Sequence, residues 1–188
     1  MEAYEAIEKR RSIRIFKKGI SEEQLRKIIL AGTKAPSAGN RQPWEFIIID
    51  DQKIIDQLAE IKYQQNRRMP PREGEGQDEV EQSALHQKKS FQNASIVAVC
   101  NKKGEAPGAW LCIENMSLAA VADGWGSVIV SYWENYKEEA EKILGLPEGY
   151  ELTSVMKFGV PGEQGFPRDK NPFTPSRPEF SWLHKNRF

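Results

Sequence analysis

The stretch 107–123 carries Trp110, Leu111, Ile113, Met116, Leu118, Ala119, Ala120 and Val121. At helical spacing these side chains leave hardly any polar face. A helix of this kind must be enclosed by the rest of the chain, so it belongs in the middle of the structure. The remaining segments supply what encloses it. Runs rich in β-branched and aromatic residues at 44–50, 95–100, 127–132 and 152–160 predict strands. Helical periodicity appears at 2–9, at 53–62 and at 136–144. Ser21-Glu22-Glu23-Gln24 has the form of a capping box and opens a further helix, with Leu25, Ile28, Ile29 and Ala31 inward and Pro36 bounding its end. Strands and helices mix without regular βαβ alternation, which predicts an α+β fold in one domain over 1–188.

Charge excludes several functions. Lys plus Arg number 27 and Asp plus Glu number 27, so no global field draws the chain toward nucleic acid or an anionic membrane. Arginines must act locally. Cys100 and Cys112 sit in apolar runs and read as core residues, and with His86 and His184 they lack the spacing of a zinc site. Both histidines read as surface residues. There is no G-x-G-x-x-G after a strand and no phosphate-binding P-loop, so a nicotinamide is not held on a dinucleotide-binding βαβ unit. The acidic start (Glu2, Glu5, Glu8) is unlike a signal peptide, and no apolar run reaches membrane-spanning length. A soluble, cytoplasmic protein is the expectation.

Two short motifs carry the chemistry. Arg10-Arg11-Ser12-Ile13-Arg14 places three guanidinium groups and a hydroxyl directly after a helix. Guanidinium donors match a phosphate in a bidentate way, although a solvated helix end with cations facing the negative pole would look the same. Pro36-Ser37-Ala38-Gly39-Asn40-Arg41-Gln42-Pro43-Trp44 is a turn-rich loop, dense in backbone N–H groups and amides suited to the polar edge of a ring. Taken alone it is equally a proline-bounded loop entering a strand, with Trp44 packed in the core.

Together these motifs closely resemble the flavin-binding signatures of the nitroreductase family, FMN-dependent oxidoreductases, and the resemblance spans nearly the whole chain. It implies a central, mainly antiparallel sheet flanked by helices in an intertwined homodimer, with FMN at the subunit interface. It assigns Arg10, Arg11 and Ser12 to the FMN phosphate and ribityl chain, and Arg14 to the pyrimidine edge. Pro36, Ser37, Ala38, Asn40 and Gln42 would hold the flavin from the opposite subunit, and Arg177 in Ser176-Arg177-Pro178 would reach the phosphate. Asn115-Met116 matches the family's central helix, and Gly124-Trp125-Gly126-Ser127 the turn after it. Two departures stand out. Ser131-Tyr132-Trp133 replaces a glycine-rich strand end, which would narrow the pocket, and Val160 replaces an aromatic residue before Pro161.

The charged, amide-rich stretch 64–93 has little apolar surface to offset ordering and reads as a mobile loop, or as a lid or insert that selects substrate. The aromatic tail at 161–188 reads as a docking segment. NADH or NADPH would deliver a hydride in a ping-pong cycle to a nitroaromatic, quinone or related conjugated acceptor. No side chain stands out as a catalytic acid. The same motifs would also serve dehalogenation, flavin breakdown, ring dehydrogenation or a non-catalytic flavin sensor.

Overall fold

The computed structural model describes residues 1–162 and 181–187. Its elements run α1 (Ala3–Lys9), β1 (Phe16–Lys18), α2 (Glu22–Gly32), β2 (Trp44–Ile49), α3 (Gln52–Asn66), α4 (Gln77–Lys89), β3 (Ser95–Lys102), α5 (Ala106–Ala122), β4 (Gly126–Val130), α6 (Asn135–Ile143) and β5 (Tyr150–Pro161). The strands form one sheet in the order β1-β5-β3-β2, and β4 also pairs with β5. Every strand pairing is antiparallel. The α+β fold is thus as the sequence pattern predicts, and the mainly antiparallel sheet is as the family resemblance implies.

Strand alternation divides the interior into two layers. Val97 and Val99 of β3, with Met156 and Phe158 of β5, pack against α2 and α5 through Ile28, Cys112, Ile113 and Met116. Ile96, Ala98 and Val155 face the other way, toward Leu58 of α3, Phe91 and Ala140 of α6. Both cysteine thiols are buried, and burial pushes each up to about 12, so they are inert core groups. The Ser21 capping box forms with both reciprocal bonds: Gln24 N–H donates to Ser21 Oγ at 3.3 Å, and Ser21 N–H donates to Gln24 Oε1 at 3.0 Å.

Three elements differ from the sequence expectation. Phe16–Lys18 forms a short strand that two lysines conceal from a hydrophobicity pattern. The stretch 64–93 is not an open loop, because α3 continues to Asn66 and α4 follows it. Val80 and Ala84 bury one side of α4, while Lys88 pairs with Glu60 and Tyr63 with Glu81 across the α3–α4 seam. Two small apolar contacts and cross-helix ion pairs suffice where composition alone suggested none. Finally, α2 ends at Gly32, before Pro36 is reached.

The enclosed helix also keeps one open side. Trp110 and Leu111 of α5 are 42% and 49% exposed, and Tyr4 and Ile7 of α1 are 85% and 54% exposed. These apolar side chains have little cover among the described residues.

Candidate functional site

The first motif follows α1, whose last turn is closed by Arg10 N–H donating to the Ala6 carbonyl at 2.9 Å. From there the chain is fastened onto the start of β4. Ile13 N–H donates to the Ser127 carbonyl at 2.9 Å, and Ser12 forms a parallel bridge with Ser127. The Ile13 side chain fills the space over Gly126, where any Cβ would lie 2.9 Å from that of Ile13. Glycine is thus required by close approach, and the approach fixes where the arginines emerge.

Arg10 meets the Glu114 carboxylate of α5 at 3.5 Å. Arg11 is half-buried, and its guanidinium donates to the carbonyls of Glu8 and Arg10, both at 2.7 Å. No carboxylate pairs with Arg11 among the described residues. Arg14 donates to the Ser12 carbonyl at 3.2 Å. Guanidinium groups resting on carbonyls are a donor set that fits a phosphate, since a charged acceptor would form the stronger bonds.

The second motif is a strained, exposed loop. Residues 38–40 make one 3₁₀ turn, and Gly39, Asn40 and Gln42 all lie at positive φ (56°, 54° and 48°). Asn tolerates this region, but Gln does so at a cost. Two bonds hold Gln42 there: its N–H donates to Ser37 Oγ at 2.9 Å, and its Nε2 donates to Asn40 Oδ1 at 3.2 Å. Arg41 is tied to Glu105 at 2.9 Å. Pro36, Ala38, Asn40 and Gln42 are exposed and Ser37 is half-buried, while Pro43 and Trp44 are buried and anchor the loop.

The two motifs line different cavities of the single chain. Ser37 and Ala38 border one of about 110 Å³ with Pro43 and Gly108. Arg14 borders another of about 250 Å³ between α3, α4 and β4. Arg177 lies outside the described residues.

Two cations on this second side escaped the sequence reading. Lys62 is 7% exposed; its Nζ donates to the Ser131 carbonyl at 2.8 Å and lies 4.5 Å from the Trp133 ring centroid. Burial pushes it down to about 8. Lys157 of β5 is fully buried, donates to Ser90 Oγ and lies 4.3 Å from the Phe91 ring centroid. Burial, with the charges of Arg14 and Lys62 behind it, pushes it down to about 7. A lone lysine inside the apolar run Val155-Met156-Lys157-Phe158 was the available signal. Tyr132, expected to narrow the pocket, turns inward instead and donates to the Leu58 carbonyl at 2.9 Å.

The model of the Nitroreductase family matches residues 7–160, which include both motifs and the whole sheet up to Val160. The chain belongs to this family. A proposed NADH dehydrogenase/NAD(P)H nitroreductase of Archaeoglobus fulgidus is 30% identical, over 94% of this chain and 95% of the relative. An iodotyrosine deiodinase of Thermotoga neapolitana is 27% identical, over 90% and 92% respectively. Among solved structures, an FMN-dependent nitroreductase of Clostridium difficile R20291 superposes with a TM-score of 0.73 at 22% identity, covering 97% of this chain and 98% of the other. The shared fold is therefore nitroreductase-like. No helix among the described residues is long and apolar enough to cross a membrane.

Proposed function

We propose that this member of the nitroreductase family moves a hydride from NADH or NADPH to a nitroaromatic, quinone or related conjugated acceptor in a ping-pong cycle. It is an FMN-dependent NAD(P)H oxidoreductase, as its family and its relatives' activities indicate. FMN, when bound, supplies the centre that accepts and then donates the hydride. The chain's own residues bind, orient and exclude water. Arg10, Arg11 and Ser12 would hold the phosphate and ribityl chain, and Arg14 the pyrimidine edge, with Arg177 as a further phosphate contact. Pro36, Ser37, Ala38, Asn40 and Gln42 of a second copy would close the site.

The observation that carries this reading is Arg11. A half-buried guanidinium whose donors rest only on the Glu8 and Arg10 carbonyls offers a ready place for a dianion. The uncovered apolar residues Tyr4, Ile7, Trp110 and Leu111 support the homodimer, because a second copy would remove them from water. A cytoplasmic location suits such a reaction, which draws on a pool of reduced nicotinamide.

The test is the visible spectrum of the purified protein, before and after NADH or NADPH is added without oxygen. A yellow protein bleached by either donor supports the reading. A colourless protein that takes up no added FMN defeats it. Reductive dehalogenation is the second reading, favoured by the iodotyrosine deiodinase among the relatives. Release of iodide from an iodinated phenol, in place of nitro reduction, would select it.

A further inference from the structure

We propose that Lys157 is the charge-compensating group of the flavin site: it takes up a proton when the flavin is reduced and releases it when the flavin is reoxidised. The inference rests on the flavin reading, which sets Arg14 at the pyrimidine edge. It deepens that reading by naming a residue that acts on the cofactor through its charge, from behind the residues that touch it.

Strand alternation places Lys157 in β5 on the side of Val155, Leu58 and Phe91, while Met156 and Phe158 face the opposite layer. The side chain is fully buried, donates to Ser90 Oγ after the end of α4, and holds its Nζ 4.3 Å from the Phe91 ring centroid. Across the sheet its paired neighbours are Ile96 of β3 and Val128 of β4. Val128 follows Ser127, whose carbonyl fastens Ile13 and with it the arginine motif. Lys157 thus stands one strand in from the segment that carries Arg14. The next two residues of β4, Ile129 and Val130, line a cavity with Arg14 and Lys62, where Arg72 and Glu75 are the other charged residues.

Among the described residues the contacts of Lys157 are a hydroxyl and a ring, with no carboxylate. A buried ammonium so placed is costly. Burial, reinforced by the charges of Arg14 and Lys62, brings it to about 7, so above neutrality the amine is mostly neutral. It is the group of the three poised to change state there. A guanidinium keeps its proton, and Lys62, lowered only to about 8, remains mostly charged at neutral pH. Hydride transfer from NADH or NADPH brings two electrons and one proton to the ring and adds one negative charge. An anion on this side favours the ammonium of Lys157. A second proton therefore passes from solvent to its Nζ. When the acceptor takes the hydride, the negative charge leaves with it and Nζ returns its proton to solvent. The same compensation makes reduction of the flavin more favourable.

The midpoint potential of the FMN-loaded protein, measured against pH by equilibration with redox dyes, tests the inference without turnover. In wild type the slope is expected to steepen as pH rises from about 7 to 8, from one proton per two electrons toward two. Lys157→Met and Lys157→Gln should hold one proton per two electrons across that range and have a lower potential at pH 7. Lys62→Met should keep the steepening and move it to higher pH, because one repelling charge is gone. A wild-type slope that does not steepen, or steepening that survives in Lys157→Met or is lost in Lys62→Met, overturns the inference and leaves the flavin reading intact. A protein that shows no flavin band after incubation with FMN overturns both, and this is seen before any potential is measured.

Discussion

Ile13 occupies the space that a side chain at Gly126 would need: the Cβ positions would lie 2.9 Å apart. This contact, with the Ile13–Ser127 bond beside it, joins the arginine motif to the turn after the central helix. Gly126→Ala would force Ile13 away from β4 and shift Arg10 to Arg14 as a unit. Overpacking of this kind costs about 1–3 kcal/mol of stability. FMN affinity should fall as well, by more than the melting temperature alone accounts for. Fluorescence titration with FMN alongside thermal unfolding checks this. Unchanged FMN affinity in a destabilised Gly126→Ala protein would separate the turn from the site.

Arg11 and Arg10 differ in what they leave behind. Arg11 pairs with carbonyls alone, whereas Arg10 also meets Glu114. Truncating either to alanine removes a charge-assisted bond to phosphate worth about 1.5–3 kcal/mol, roughly a 10- to 150-fold loss of FMN affinity. Arg11→Ala should do so with little change in unfolding midpoint, since surface-type contacts contribute little to stability. Equilibrium dialysis of FMN measures it, and wild-type affinity in both variants would remove the pair from the site.

The loop motif makes a different demand. Ser37 Oγ accepts the Gln42 N–H at 2.9 Å and so holds a non-glycine residue at φ 48°. Ser37→Ala deletes that acceptor from a largely exposed loop, where water can replace it. The expected loss of global stability is therefore small, below about 1 kcal/mol. The loop, however, would relax from its left-handed conformation and no longer present its amides as a set. FMN binding should weaken several-fold while the melting temperature stays nearly constant. If both stay constant, the strain at Gln42 has no part in binding.

The four apolar strands, the capping box and the central helix were readable because each rests on local pattern. Ser21 and Gln24 cap one another within four residues, and β2 and β3 each hold an unbroken apolar run, at 46–49 and 96–100. What was not readable depends on partners far along the chain. Whether 64–93 orders is decided by Val80, Ala84 and ion pairs from α4 back to α3. That Tyr132 turns inward depends on the Leu58 carbonyl, remote in sequence. Lys62 looks like an ordinary surface lysine until the fold buries it, and Lys157 left only the faint signal of a lone lysine in the apolar run 155–158. The two motifs stood out by composition, whereas the burial of these cations is a tertiary property.

Lys157 makes the fold sensitive to alkali in a definite direction. Its folded pKa is near 7, against an ordinary lysine value of 10.5. Between those values the unfolded chain binds a proton that the folded chain has released, so stability rises with pH by up to about 1.4 kcal/mol per unit. The gain is complete above the ordinary lysine range and is lost as pH falls toward 7. The charges of Arg14 and Lys62 act on this group and add to the effect of burial. Lys157→Met keeps similar bulk in the strand and removes the penalty. Ser90 Oγ remains satisfied, because it donates to the Gln87 carbonyl at 2.7 Å. The variant should therefore be more stable at neutral pH by roughly 1–4 kcal/mol, the range found when buried charges are replaced by apolar groups. Its stability should also lose much of the upward slope between about pH 7 and 9. Urea unfolding of both proteins across that range decides the matter. A Lys157→Met protein that is less stable, with the slope retained, would mean that the buried ammonium is compensated by a partner and contributes to the fold.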